Sequence, residues 1–549
     1  MISTSISVRR CAHVLFLAAG AALAGCGGGG NGTALTLPAS TSGTSGTSGT
    51  TAPAPFNTTP VASAQIDAAV ARLDGLAADV MQRTKIPGMA VAVVKDGKVV
   101  YAKGFGVRRV GAPERIDPDT VFQLASVSKP IAATVVAGLL DGGALSWDTP
   151  AATRLPGFAL SDPAITQQAT IGDFFAHRTG LPGAIGDKLE DLGYDRAQIL
   201  QRMRYVPLLS FRDTDRYSNF SLTAGAQAAA NSYGTEWAAL SERVLYAPVG
   251  MTSTSSRFAD FIQRTNRATP HVQKDGSYQA LYQRQPDEQS PAGGVSSSAN
   301  DVARWLTLLL QNGSYNGRTI YTAAALQPAI SEQVANGPVP ADPSVRRNHY
   351  GYGFNVGPSS AGRLKLSHSG AFMLGAGTAF TALPAAGVAI VTLTNAAPIG
   401  AAEALNLSFE ELVESGKTSR DWLPAFAERF QGFYVPEGSL AGQQPPAQPV
   451  APLGNNAYTG TYASSYYGNA VVESGGGGLV LRMGPTGARV FSLRHWSGNT
   501  FVFDLSGENA PPGSVARVDF APGASGVSGS LKMDYYDEDL THGTFTRTP

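Results

Sequence analysis

Cysteine is almost missing from this chain, which has two, Cys11 and Cys26, among 549 residues. A disulfide framework or a thiolate metal site needs more. Net charge is missing as well: 41 Lys and Arg balance 41 Asp and Glu, so the basic footprint of a nucleic-acid binder is absent. No apolar run reaches the length of a bilayer span, which excludes a multi-span membrane protein. Histidine is sparse. Past the first residues there are only His177, His271, His349, His368, His495 and His542, without H-E-x-x-H or any paired ligand spacing, so neither a metal nor another cofactor is expected. G-x-S-x-G is absent too, which removes the strand-turn-helix nucleophile of the α/β-hydrolases.

Glycine and proline are plentiful instead, 63 and 35, and they help to divide the chain. Arg9 and Arg10 precede an uncharged apolar stretch of eleven residues, 14–24, which suits the h-region of a signal peptide and is too short to cross a bilayer. It ends in Leu23-Ala24-Gly25-Cys26, which resembles a bacterial lipobox. That resemblance implies cleavage before Cys26, lipid attached to Cys26, and anchorage to a bacterial membrane, facing the periplasm or the exterior. Cys11 would leave with the leader and Cys26 would be blocked, so no thiol chemistry would remain. Residues 27–61 carry no charge, repeat Thr-Ser-Gly, and cannot bury apolar surface. Such a segment is expected to act as a flexible tether with a reach of about 30 Å. The expected organisation is a leader over 1–25, a tether over 26–61, a main domain over 62–434, a Gln- and Pro-rich linker over 435–456 and a terminal β domain over 457–549.

Within the main domain, Ile66, Val70, Leu73, Leu76 and Val80 have the spacing of one helix face. Two apolar runs, 89–94 and 99–101, flank Lys95-Asp96-Gly97-Lys98, in which Asp-Gly supplies the positive φ angles of a tight hairpin. Alternation at 363–366 and apolar runs at 378–381 and 387–394 predict further strands, with a mostly helical stretch between the two ends. These patterns predict an α/β (α+β) domain whose sheet is assembled from both ends of the region. From residue 458 onward the pattern predicts seven short antiparallel strands, at 460–463, 470–473, 479–483, 490–493, 500–504, 516–520 and 529–535, forming a curled sheet or small barrel.

Of the ten lysines only Lys129 has a serine three positions before it, in Ala125-Ser126-Val127-Ser128-Lys129-Pro130. Ile131, Val135, Leu139 and Leu140 continue with helical spacing to Gly142-Gly143, so Ser126 is placed at a helix start. Positions i and i+3 share a helix face, so the Lys129 amine can reach the Ser126 hydroxyl, and the helix N-terminus favours developing negative charge. Ninety-one residues after Ser126 comes Tyr217-Ser218-Asn219, and 151 residues after Tyr217 comes His368-Ser369-Gly370.

In type, order and separation these segments resemble the S-x-x-K, Y-x-N and K/H-[ST]-G motifs of the penicillin-recognising serine hydrolases, in the class C β-lactamase branch. That branch also holds D-alanyl-D-alanine peptidases, D-aminopeptidases and esterases. The resemblance extends over most of 63–431, through Gly88-Met89-Ala90-Val91-Ala92-Val93-Val94, Gly104-Phe105-Gly106, His177-Arg178-Thr179-Gly180-Leu181-Pro182 and Pro291-Ala292-Gly293-Gly294-Val295. It implies a β-lactamase/transpeptidase-like antiparallel sheet flanked by helices, with a helical subdomain. The terminal β domain, lipocalin-like, resembles one often appended to these hydrolases. Three partial matches are set aside: Tyr467-Gly468-Asn469 follows the third motif, His349-Tyr350-Gly351 precedes Tyr352-Gly353-Phe354, and Gly416-Lys417-Thr418 lacks the first glycine of a phosphate loop. His177 reads as a structural residue.

Carried onto these positions, the resemblance implies that Ser126 attacks a carbonyl and forms an acyl-enzyme. Lys129, whose ordinary pKa of about 10.4 keeps it charged, must be depressed by its surroundings or act through Tyr217. Which of the two is the base stays open. Tyr217 is the better candidate for returning a proton to the leaving group. The resemblance further implies an oxyanion hole from the backbone N–H groups of Ser126 and Ala371, close substrate approach at Ser369 and Gly370, a substrate amide on Asn219, and His368 orienting Tyr217 or meeting a carboxylate. His368 stands where the lactamases carry Lys. A largely neutral histidine is a poorer anchor for an anionic β-lactam, so a peptidase or esterase substrate is expected ahead of penicillin. The expected partners are a small-molecule or peptide acyl substrate and, through lipid, a membrane; the expected state is a monomer.

Overall fold

The computed structural model of the chain describes residues 53–340, 342, 344–537 and 542–549. The expected leader, Cys26 and the part of the expected tether before residue 53 lie outside them.

Eight antiparallel strands form the main sheet: β1 (Gly88–Lys95), β2 (Lys98–Gly106), β3 (Val334–Ala335), β4 (His349–Tyr350), β5 (Asn355–Pro358), β6 (Leu364–Phe372), β7 (Ala376–Leu383) and β8 (Val388–Thr394). Their order is β2-β1-β8-β7-β6-β5-β4-β3. Asp96 and Gly97 have φ of 49° and 73°, the left-handed pair that a two-residue hairpin needs between β1 and β2. β1 lies against β8 with Met89 opposite Thr394, so the sheet joins the two ends of the region.

The strand period of two divides the core. Met89, Val91 and Val93 enter an apolar cluster under α1 (Ser63–Val70), α2 (Leu73–Thr84) and a later helix over Ala401–Ser415. Ala90, Ala92 and Val94 point to the opposite face, into a larger cluster. That second layer contains α3 (Ser128–Leu140), α4 (Asp187–Asp191), α5 (Asn219–Ser232) and α6 (Ala299–Leu310); Ala401–Ser415 is then α7. The single helix expected over 66–80 is interrupted at Ala71 and Arg72, and both pieces turn their buried residues to the same cluster.

The C-terminal domain is a closed antiparallel barrel of eight strands: β9 (Gly460–Ser464), β10 (Gly468–Gly475), β11 (Gly478–Met483), β12 (Arg489–Ser497), β13 (Thr500–Asp504), β14 (Val515–Pro522), β15 (Ser528–Met533) and β16 (Thr544–Arg547). The sequence pattern shows seven of these. The eighth, β16, has one apolar residue, Phe545, too little for a pattern, and is a strand because it pairs with β9 and β15. This pairing removes both sheet edges.

Barrel and main domain share one continuous apolar cluster, through Leu189, Leu192 and Tyr194 on one side and Tyr466, Tyr467 and Tyr535 on the other. Tyr194 Oη donates to Tyr467 O at 2.8 Å. At Gly468, with φ +74°, an added Cβ would sit 2.4 Å from Tyr194 Oη, so this contact needs glycine.

The expected tether needs correction at its end. The Asn57 amide donates to Gly362 O at 2.8 Å, Arg363 donates to Thr59 O at 2.9 Å, and Arg346 lies 4.2 Å from the Phe56 ring. Phe56 supplies apolar surface that the rest of the segment lacks, and two buried or half-buried arginines take up its backbone carbonyls. The linker is also seated: Val515 donates to Glu437 O at 2.9 Å and Leu453 to Tyr458 Oη at 2.8 Å, along the barrel.

Candidate active site

Ser126 occupies a 3-10 turn, Ala125–Val127, immediately before α3. Ala125 takes φ +46°, a left-handed conformation that costs a non-glycine residue about 1–2 kcal/mol. It is held there by packing against Phe372 and Ala376. The Leu124 amide also donates to Val295 O at 2.8 Å. The turn brings the Ser126 hydroxyl over the first turn of α3.

Lys129, one turn on, is 0% exposed, and its Nζ has three acceptors. Ser126 Oγ lies at 3.0 Å, Asn219 Oδ1 at 2.6 Å and Ala292 O at 3.1 Å. As an ammonium it can donate to all three. As a neutral amine it can donate to Asn219 and Ala292 and turn its lone pair to the Ser126 hydroxyl. Burial lowers its pKa to about 7, against an opposing pull from Asp187, so both forms are accessible near neutrality.

Asn219 opens α5 directly after the N-cap Ser218. Its amide orientation is set by its partners: Oδ1 faces Lys129, and Nδ2 donates to both carboxylate oxygens of Asp187 at 3.3 Å. Asp187, the first residue of α4, is buried. Burial, with Glu190 nearby, holds its pKa well above the ordinary carboxylate value.

Tyr217 lies with its ring centroid 4.5 Å from Lys129 Nζ and its hydroxyl beside Ser126. Burial raises its pKa well above the ordinary tyrosine value, so it remains a phenol. His177 packs against it, with ring centroids 4.7 Å apart, and accepts from the Ser218 amide at 3.3 Å through Nδ1.

The third motif lies on β6. Even positions of this strand face the α3 layer, since Leu366 belongs to the larger cluster, and His368 and Gly370 follow on that side. A Cβ at Gly370 would meet Leu124 O at 2.1 Å, Thr378 Oγ1 at 2.3 Å and Ser126 N at 3.1 Å, so the strand passes the Ser126 turn at a distance that only glycine permits. His368 Nδ1 lies 2.7 Å from Ser369 O and donates to it; Nε2 then accepts from Tyr350 Oη at 2.9 Å. Burial, reinforced by Lys129, lowers the His368 pKa to about 3 and keeps it neutral. Its ring centroid lies 6.1 Å from that of Tyr217. Ser369 points to the other face, beside Glu403 in the first turn of α7, whose pKa burial raises to about 7. Ala371 follows on β6, opposite Gly377.

Ser126, Lys129, Tyr217, Asn219, His368 and Gly370 therefore come together at one site, with Ser369 and Ala371 on the opposite face of β6; Cys26 lies outside the described residues. Sequence reasoning missed two neighbours. Tyr350 belongs to the partial match His349-Tyr350-Gly351, yet it holds the His368 tautomer. Asp187 carries no motif and is recognisable only through its contact with Asn219. Among the described residues no group of His, Cys, Asp and Glu is arranged to hold a metal ion, and no helix is long and apolar enough to cross a membrane.

Comparison with known proteins gives the family and the fold. A family model described as Beta-lactamase matches residues 73–412, and one described as a domain of unknown function (DUF3471) matches 444–545. The chain is 23% identical over 493 residues to unguisins hydrolase ungD of Aspergillus violaceofuscus (strain CBS 115571), covering 82% of this chain and 85% of that one. It is 26% identical to esterase EstB of Burkholderia gladioli, over 63% of this chain and 96% of the esterase. It is 29% identical to penicillin-binding protein 4 of Amycolatopsis lactamdurans, over 46% of this chain and 66% of that protein. In fold it is similar to the octameric penicillin-binding protein homologue from Pyrococcus abyssi, with a TM-score of 0.56 at 19% identity, over 84% of this chain and 98% of that one. With three motifs converging on one cleft and more than half its length matched, the chain belongs to the Beta-lactamase family, whose relatives here include hydrolases and a penicillin-binding protein.

Proposed function

We propose that the protein is a serine hydrolase that cleaves amide or ester bonds through an acyl-enzyme on Ser126. The observation that carries this reading is the fully buried Lys129 amine 3.0 Å from the Ser126 hydroxyl, with a pKa of about 7. Neutral Lys129 accepts the Ser126 proton as Oγ bonds to the substrate carbonyl carbon. Tyr217, kept as a phenol, passes a proton to the leaving atom and recovers one from Lys129. The oxyanion is held by the backbone N–H groups of Ser126 and Ala371, one such donor being worth about 3 kcal/mol. Water then attacks the acyl carbon as Lys129 again accepts a proton, and Lys129 returns that proton to Ser126 Oγ as the acyl–oxygen bond breaks, which frees the serine and the neutral amine.

Neutral His368 supports an acyl substrate without a carboxylate at that point, such as an ester or a D-amino-acid peptide, ahead of a β-lactam. The similar proteins named as a hydrolase and as an esterase support the same class.

Intact-protein mass spectrometry and rate assays with p-nitrophenyl esters, penicillin and nitrocefin test the reading. Turnover of the ester that disappears in Ser126→Ala is the expected result. A stable penicillin adduct on Ser126 without ester turnover would indicate a penicillin-binding sensor instead, and full hydrolysis by Ser126→Ala would overturn the mechanism.

A further inference from the structure

The barrel reaches into the cleft. Between β13 and β14 its loop carries Glu508, whose two carboxylate oxygens accept from the Met373 amide at 2.8 Å and the Leu374 amide at 3.2 Å. Those amides form the turn between β6 and β7, two and three residues after Ala371. The next side chain, Asn509, goes to the other wall: its Nδ2 donates to Asp191 Oδ2 at 3.0 Å and to Asp187 O at 3.4 Å. Both acceptors belong to α4, the helix whose Asp187 carboxylate orients Asn219 toward Lys129. The loop is itself braced, since Tyr535 Oη donates to Asn509 O at 3.0 Å and Gly507 bridges Ala510. The barrel holds α4 at two further points. The Gly186 amide donates to Tyr466 Oη at 3.0 Å, and Lys188 Nζ donates to Tyr535 O while lying 3.7 Å from the Tyr535 ring centroid.

One short loop thus spans the strand that carries the third motif and the helix behind the second. From this we infer that the C-terminal barrel is a working part of the active site, with Glu508 and Asn509 as positioning residues that set the third-motif strand and helix α4 at their catalytic separation. The inference rests on the serine-hydrolase reading above and adds to it a role for the second domain. The physical reason is rigidity: a carboxylate paired to two backbone amides restrains a turn that would otherwise end in water, and Ala371 lies within one strand step of that turn. A displacement of about 1 Å at a reacting centre costs roughly 100-fold in rate.

The test uses the full chain with Glu508→Ala, Glu508→Gln, Asn509→Ala and Ser126→Ala. A fluorophosphonate probe reports Ser126 labelling by intact mass, both as a rate and as an end-point, and a p-nitrophenyl ester reports kcat and KM. Glu508→Ala should label to the same end-point as wild type but about 10- to 100-fold more slowly, with kcat reduced alike and KM within about threefold. Glu508→Gln, which retains one acceptor and opposes an N–H with another, should fall between. Complete end-point labelling separates positioning from a loss of folded protein. Labelling and kcat within twofold of wild type in Glu508→Ala would overturn the inference; if that variant does not fold, the same outcome in Glu508→Gln does so. Full labelling in Ser126→Ala would instead sink the underlying reading, so the two failures are distinct.

Discussion

Replacing Lys129 by Met tests base chemistry and burial together. The amine is 0% exposed, and burial takes its pKa from 10.5 to about 7. That displacement means that the fold disfavours the ammonium by about 5 kcal/mol. Between pH 7 and 10.5 the unfolded chain binds a proton at this lysine and the folded chain does not. Stability from this residue therefore falls as pH is lowered through that interval and is constant below it. Methionine carries no proton, so the stability of Lys129→Met relative to wild type should improve by about 3 kcal/mol from pH 9.5 to pH 7, measured by urea unfolding. The catalytic effect runs the other way. Ester hydrolysis by wild type should rise with pH along a limb near 7 and level off above it, and Lys129→Met should lose at least about 100-fold of that rate together with the limb. Lys129→Arg, whose guanidinium does not deprotonate, should be equally slow. A variant that retains the limb near pH 7, or a stability difference that stays flat across the range, would refute the reasoning.

Gly370→Ala should abolish probe labelling of Ser126 while far-ultraviolet circular dichroism stays native, because its Cβ would come within 2.3 Å of both Leu124 O and Thr378 Oγ1 and force β6 away from the serine turn. Glu403→Gln reads the acid beside Ser369: in the fold Glu403 binds a proton up to about pH 7, whereas unfolded it releases that proton near its ordinary value of 4.5. Wild-type stability from this group thus declines as pH rises from 4.5 to 7, and the glutamine variant should gain on wild type by up to about 3 kcal/mol between pH 5 and pH 8 in thermal or urea unfolding; an unchanged difference would show that the carboxyl is solvated.

Local chemistry is legible in the amino-acid sequence. The Asp96-Gly97 hairpin, the helix after Ser126 and the close strand at Gly370 each follow from residues a few positions apart, where backbone sterics and spacing decide. The long helix expected over 66–80 breaks at Ala71 and Arg72, yet Ile66, Leu73 and Val80 enter one apolar cluster and Val70 and Leu76 pack against it, so the spacing gives the buried face and not the continuity of the helix. The partial match at Tyr350 misleads in another way. His349-Tyr350-Gly351 has no spacing that ties it to the third motif, yet β4 lies two strands from β6 and delivers the phenol to His368 Nε2. The last stretch of the uncharged leader-side segment has the composition of a solvated chain throughout, but its Phe56 and its carbonyls meet Arg346 and Arg363 from more than 280 residues away.

The sequence by itself determined which groups could react: a serine and a lysine one helical turn apart, a tyrosine with an asparagine two residues on, and a strand whose glycine lets it approach. The tertiary structure alone decided the state in which they react. A lysine becomes a base only when distant segments exclude water from it, here Ala292, Asn219 and the ring of Tyr217. Asp187 and Glu508 acquire roles only because α4 and a barrel loop lie at two walls of one cleft. Such effects depend on burial and on distances between residues far apart in the chain, which no local pattern encodes.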